Sequence, residues 1–271
     1  MKIINTFLNL FFLAGTMVLL LFIIMAGSGD HTPLNFYWVR ADTSNISGAY
    51  SESAWSFWGV CSYPGFKDCQ RGPAYPISPK DNFQTLQGVP SDLLNNRDNV
   101  YYLSRFGFCF VVIAICFTGV ALIVDLLGFF FQIIDKIVSI FVGFALFFIA
   151  GYNAFYTSAA VLARNAFSNE GQSTKLGVKL IAVSWTSLVT IAIVFFTTCA
   201  TNVTRSYQKH MARVNATQGS SGYGVGGAPA AEESSFTREN EQPETSEGNS
   251  GGIRFFKIKR NQKASDEEES I

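Results

Sequence analysis

Hydrophobic residues in this chain gather into four long runs, within residues 1–26, 106–131, 137–163 and 176–200. An α-helix needs about 20 apolar residues to cross the hydrocarbon layer, and each run is long enough. Asp125 is the only acidic residue inside any of them. A helix on a soluble core would instead show a polar face at about 3.6-residue spacing. The pattern predicts a membrane all-α fold, a bundle of four transmembrane helices. The first run reads as a retained anchor rather than a cleaved leader. Its apolar stretch exceeds the roughly 7–15 residues of a signal peptide and no Ala-x-Ala site follows.

Between the runs lie a polar loop at 27–105, a turn at 132–136 and a shorter loop at 164–175, and residues 201–271 form a tail. Four spans put both termini on one side. Loops longer than about 60 residues are largely exempt from the positive-inside rule. Counting short flanks alone sets Lys2, Lys136, Arg205, Lys209 and Arg213 against Arg164 and Lys175. The termini are therefore expected in the cytosol and the two loops outside. Cys61 and Cys69, close together in the long loop, suit a disulfide in an oxidising compartment. Asn45-Ile46-Ser47 is a glycosylation acceptor pattern and makes Asn45 a candidate. Asn202 and Asn215 head the same pattern on the expected cytosolic side.

Within the long loop, Trp55-Ser56-Phe57-Trp58-Gly59-Val60-Cys61 reads as a strand with Trp55, Phe57 and Gly59 on one face. A second strand is expected from Asn35 to Arg40 on aromatic and β-branched content. Tyr63-Pro64-Gly65 supplies a turn, so a hairpin closed by Cys61 and Cys69 follows. Such a bridge either presents a recognition surface or merely staples a sheet too small to hold itself together. Pro73, Pro76 and Pro79 exclude a central strand there. Tyr101 and Tyr102 suit the membrane interface.

Inside the spans, small residues mark close helix contacts. Ala150, Ala154 and Ser158 recur every fourth residue and predict a packing face within the bundle, one that could also serve homo-oligomer contacts. Ala114 and Thr118 form a shorter face, and Asn153 can hydrogen-bond across helices. Asp125, near the expected cytosolic end, is read as an acid that bends to the interface.

Charged residues make up 15% of the chain, against about a quarter in soluble proteins, and the formal net charge is zero. No nucleic-acid partner is indicated. His31 and His210 fall on opposite sides of the membrane, no metal-ligand spacing or nucleophile elbow is present, and neither an enzyme nor a cofactor is expected. The tail opens with Arg205, Lys209 and Arg213, suited to anionic inner-leaflet lipids. A Gly/Ser-rich linker and an acidic, disordered stretch follow. Near its end, Arg254, Phe255, Phe256, Lys257, Lys259 and Arg260 interleave basic and aromatic side chains, a pattern for the membrane surface or a partner.

The Trp55–Cys61 run, with Cys69 soon after, resembles the Trp-Gly-Cys signature in the first extracellular loop of claudin-like tetraspan proteins; Trp55, Trp58 and Gly59 carry it. With FYWV at 36–39, PAYPISPKDNF at 73–83, YYLSRF at 101–106, ARNAF at 163–167 and GIRFFKIK at 252–259, the chain resembles the fungal SUR/PalI family, in its eisosome-associated plasma-membrane branch. That resemblance implies a structural protein of eisosome microdomains, supporting membrane organisation, cell-wall integrity and stress tolerance. It implies sterol- and sphingolipid-rich membrane and eisosome proteins as partners. The alternative is a membrane sensor subunit of the PalI type.

Overall fold

The computed structural model describes residues 2–29, 36–128 and 133–219. Four long helices carry the apolar runs: α1 (Lys2–Met25), α4 (Arg97–Leu127), α5 (Ile134–Asn169) and α6 (Val178–Gly219). Two short ones, α2 (Pro79–Phe83) and α3 (Ser91–Asn95), precede α4. Helix α1 packs on α4 and α6, and α5 packs on the same two, so the four close into a ring.

Small residues and hydrogen bonds set the contacts, because lipid leaves apolar helices little reason to associate. Gly107 of α4 lies against Tyr156 of α5, where an added Cβ would stand 2.4 Å from the ring. Asn153, as expected, bonds across to α6: Ser184 Oγ donates to its Oδ1 at 2.6 Å, and its Nδ2 donates to the Ser184 carbonyl at 3.3 Å. Tyr152 shares a 2.8 Å hydrogen bond with Ser187. Thr16 of α1 meets Thr190 of α6 at 2.8 Å. Ala114 and Thr118 are fully buried in the bundle.

Ala150, Ala154 and Ser158, by contrast, are exposed and face away from the other helices. The buried side of α5 runs instead through Ala145, Ile149, Tyr152, Tyr156, Ala159 and Ala163. Tyr152 and Asn153 decide the rotation, because their polar atoms find partners inside the bundle and none in hydrocarbon. Asp125 is a second correction. Rather than bending outward it is 2% exposed, at the end of an inward stripe through Val111, Ala114, Thr118 and Ala121. Helical phase carries it inside.

The tail also begins later than expected, since α6 continues beyond 200 to Gly219. Neither Pro nor Gly interrupts residues 201–218, and extending an existing helix is cheap compared with nucleating one. Arg205, Lys209 and Arg213 thus ride on a helix.

The loops supply one antiparallel sheet in the order β4-β3-β2-β1-β5, from β1 (Val39–Asp42), β2 (Glu52–Trp55), β3 (Gly59–Ser62), β4 (Cys69–Arg71) and β5 (Thr174–Leu176). The expected single strand from Trp55 to Cys61 is broken in two. Ser56, Phe57 and Trp58 connect β2 to β3, with the Ser56 amide bonded to the Gly59 carbonyl at 2.8 Å. Trp55, Phe57 and Trp58 need burial in different directions there, which a flat strand cannot provide. The strand anticipated from Asn35 to Arg40 is β1, displaced towards Asp42, and Asn35 itself lies outside the described residues. The β3–β4 hairpin places Cys61 opposite Cys69 and the two form a disulfide, as expected. Strand β5 comes from the connection between α5 and α6, expected only as a loop, and pairs Val39 with Leu176. Both loops therefore build one layer on one end of the bundle.

Candidate functional site

The signature residues seat the sheet on the helices. Trp55 is fully buried and its indole donates to Asn82 Oδ1 at 2.8 Å, while Asn82 Nδ2 donates to the Pro76 carbonyl at 3.2 Å. Trp58 turns the other way and donates to the Ile24 carbonyl in the last turn of α1, at 2.5 Å. Gly59 is required by close approach, because a Cβ there would stand 2.1 Å from the Gln70 carbonyl oxygen of β4. Between them Phe57 reaches down to Tyr156 at 4.2 Å between ring centroids, and Trp38 stacks on that tyrosine at 4.8 Å. These side chains point into the protein. They make the layer stiff rather than sticky.

An ion pair outside this aromatic core ties the loop to α4. Arg97 clamps Asp81 through Nε at 3.0 Å and Nη2 at 2.6 Å, and Ser78 Oγ adds a 2.5 Å bond to the same carboxyl. Burial works against the Asp81 charge, yet the bonds from Arg97 and Ser78 prevail and hold its carboxyl below the usual range. On the second loop, Glu170 accepts from the Ser91 amide at 2.7 Å and Asn169 donates to Asp92 at 2.9 Å. Apart from the local Ser78–Asp81 bond, none of these partnerships is visible in local sequence, since 16 to 79 residues separate the partners.

The outward side of the sheet carries an aromatic cleft of about 510 Å³ between the β3–β4 turn and the start of α6, lined by Tyr37, Tyr63, Phe66, Leu176 and Lys179. Tyr37 meets Tyr63 edge-on at 5.8 Å and stacks on Phe66 at 6.4 Å. The Arg40 guanidinium covers Tyr63 at 4.1 Å while pairing with Glu52 at 3.1 Å. Burial holds the Tyr37 phenol above its ordinary value in spite of Arg40, so it is a neutral donor at physiological pH. It is a recessed surface of the loop available for recognition. It was not anticipated from sequence, because its walls come from three separate segments.

Asn45 is exposed in a turn on the same layer, open to modification. The basic–aromatic motif of Arg254, Phe255, Phe256, Lys257, Lys259 and Arg260 lies outside the described residues. Among the described residues, no group of three or more His, Cys, Asp or Glu side chains could hold a metal ion.

Known proteins share this chain's sequence over most of its length. The SUR7/PalI family matches residues 5–197. Protein SUR7 of Candida albicans is 50% identical over 270 residues, covering 99% of both chains. Protein SUR7 of Saccharomyces cerevisiae is 39% identical over 191 residues, which covers 69% of this chain and 63% of that one. A plasma membrane protein of Saccharomyces cerevisiae is 33% identical over 195 residues, 69% of this chain and 64% of its own length. The Saccharomyces matches thus leave more than a third of each relative unmatched.

Proposed function

The chain belongs to the SUR7/PalI family, and from that premise we propose that it is a non-catalytic organiser of plasma-membrane microdomains of the eisosome type. In this reading the termini are cytosolic and the sheet stands outside the cell. One observation carries it: the sheet draws strands from both loops and is locked to α1 and α4 through Trp58 and to α5 through Tyr156, while Arg97 ties the same loop to α4 through Asp81. An outer contact surface is thereby held rigidly on a membrane bundle, the property a fixed organiser needs.

Three contact regions then act together: the outer cleft, the lipid-facing helices and the tail motif around Phe255 and Phe256. The partners proposed are sterol- and sphingolipid-rich membrane, anionic inner-leaflet lipids and eisosome proteins, with self-association along the outward face of α5. Several weak contacts on one molecule raise the effective concentration of each, so the protein is retained where its partners cluster. Stress tolerance and cell-wall integrity would follow from that retention.

The test is imaging of a tagged full-length copy with fluorescence recovery after bleaching. Stable surface patches with slow recovery are expected, and Phe255→Ala with Phe256→Ala should speed recovery without blocking delivery. A uniform, rapidly recovering signal from the unmodified protein would overturn the organiser in favour of a sensor subunit of the PalI type.

A further inference from the structure

At the end of the bundle opposite the sheet, all four long helices close around a cavity of about 10 Å³. That is room for a single water or a small ion. Asp125 of α4 and Asp135 of α5 line it, together with Thr198, Thr201 and Arg205 of α6 and Asn5 and Asn9 of α1.

Charge does not balance there. Arg205 is committed to Asp135, with Nη1 on Oδ2, and Asn202 donates to the Asp135 backbone carbonyl at 3.3 Å. Asp125 is 2% exposed, and its Oδ2 has no hydrogen-bond partner among the described residues. Among the described residues, two carboxylates against one guanidinium leave one negative charge without a counter-charge. Burying a lone carboxylate costs far more than burying one with a partner.

The neighbours supply acceptors. Thr198 spends its hydroxyl hydrogen on the Val194 and Phe195 carbonyls, at 2.8 and 2.9 Å, and Thr201 donates to the Thr197 carbonyl at 2.8 Å. Their oxygen lone pairs remain for the cavity, while Asn9 Oδ1 is taken by Thr197 at 2.9 Å. A small space between the helices, into which these oxygens open beside Val138, with one unbalanced negative charge is a setting for a hard monovalent cation.

We propose that this cavity binds one alkali cation of about sodium size, with the Asp125 carboxylate as its charged ligand and Thr198 and Thr201 as neutral ones. Bound there, the ion ties α4 to α6 where no direct hydrogen bond joins Asp125 to a neighbour through Oδ2.

The experiment uses the full chain in detergent micelles, melted at fixed ionic strength in sodium chloride, potassium chloride or N-methylglucamine chloride. A saturable rise in Tm with an alkali cation over N-methylglucamine is expected, since a ligand of the folded state stabilises by mass action. Asp125→Asn should melt at the same temperature in all three salts. Thr198→Val keeps the charge and the shape but removes one ligand oxygen; it should raise the half-saturating cation concentration about tenfold, and it decides the matter if the Asn variant does not fold. An unmodified protein indifferent to the choice of cation would overturn the site, as would an undiminished cation response in the Asn variant or, where that variant cannot be made, in Thr198→Val. Indifference would mean that Asp125 is buried as a neutral acid.

Discussion

The indole nitrogen of Trp58 donates to the backbone carbonyl of Ile24 at 2.5 Å, joining the β2–β3 connection to the last turn of α1. Carbonyls at a helix end lack intrahelical partners and need one from elsewhere. Trp58 supplies it while its ring packs edge-on against Phe108 of α4 at 5.2 Å. Replacing Trp58 by Phe should keep the packing and lose the bond, lowering stability by about 1 kcal/mol. Trp58→Ala should cost several-fold more, because it also vacates the contact with α4. Melting of the two variants in detergent, side by side, separates the contributions; an unchanged Tm for Trp58→Phe would mean the hydrogen bond contributes nothing, and equal losses that the packing does not.

Gly59 tests the close pairing of β3 with β4. Its Cβ position lies 2.1 Å from the Gln70 carbonyl oxygen, backbone that cannot move without opening the hairpin. Gly59→Ala should therefore destabilise by about 3 kcal/mol. Reduced delivery to the cell surface, read by surface labelling, is the expected consequence. Normal delivery and an unchanged Tm would show that β4 yields freely.

The disulfide between Cys61 and Cys69 closes a loop of eight residues' separation on a sheet with little apolar mass of its own. Constraint of the unfolded chain by so short a loop is worth about 2–3 kcal/mol. Cys61→Ser should lower Tm accordingly and impair export. A membrane-impermeant thiol probe on intact cells should label neither cysteine of the unmodified protein until a reductant is added. Labelling without reductant would remove the bridge, and no labelling even after reductant would remove the placement of the sheet outside.

Acid should loosen the tie between α2 and α4. The Asp81 carboxyl sits below its ordinary value in the folded protein, held there by Arg97 and Ser78. A depressed carboxylate contributes stability above its unfolded value, about 3.9, and that contribution is lost as pH falls through the folded value. Tm should thus stay level from neutral pH to about 4 and fall below it. Asp81→Asn should start lower at neutral pH and show a shallower fall below 4. A parallel decline of both proteins would assign the acid sensitivity to other groups.

Much of this architecture is legible in the linear pattern. Length and polarity of the apolar runs place the four long helices, because a spanning helix satisfies its backbone internally and its location depends only on local composition. The Cys61–Cys69 hairpin is equally local, since Tyr63, Pro64 and Gly65 turn the chain within the interval the bridge closes. Other readings failed for a common reason. Ala150, Ala154 and Ser158 have the right spacing for a packing face, yet α5 is rotated by Tyr152 and Asn153, whose partners Ser187 and Ser184 lie on another helix.

Spacing alone determined that a helix would carry Asp125; tertiary packing decided that it would be buried, because the stripe from Val111 to Ala121 had to meet the other helices. Likewise composition located the Trp55–Cys61 run, but only contacts with Ile24, Asn82 and Tyr156 broke it into two strands and pointed its aromatics inward. Strand β5 depended on a partner about 135 residues away, Arg40 opposite Lys175, and had no local signature. Periodicity reports what one segment buries. Which neighbour it buries against, and hence which side chains remain for the cleft and the cavity, is a property of the assembled fold.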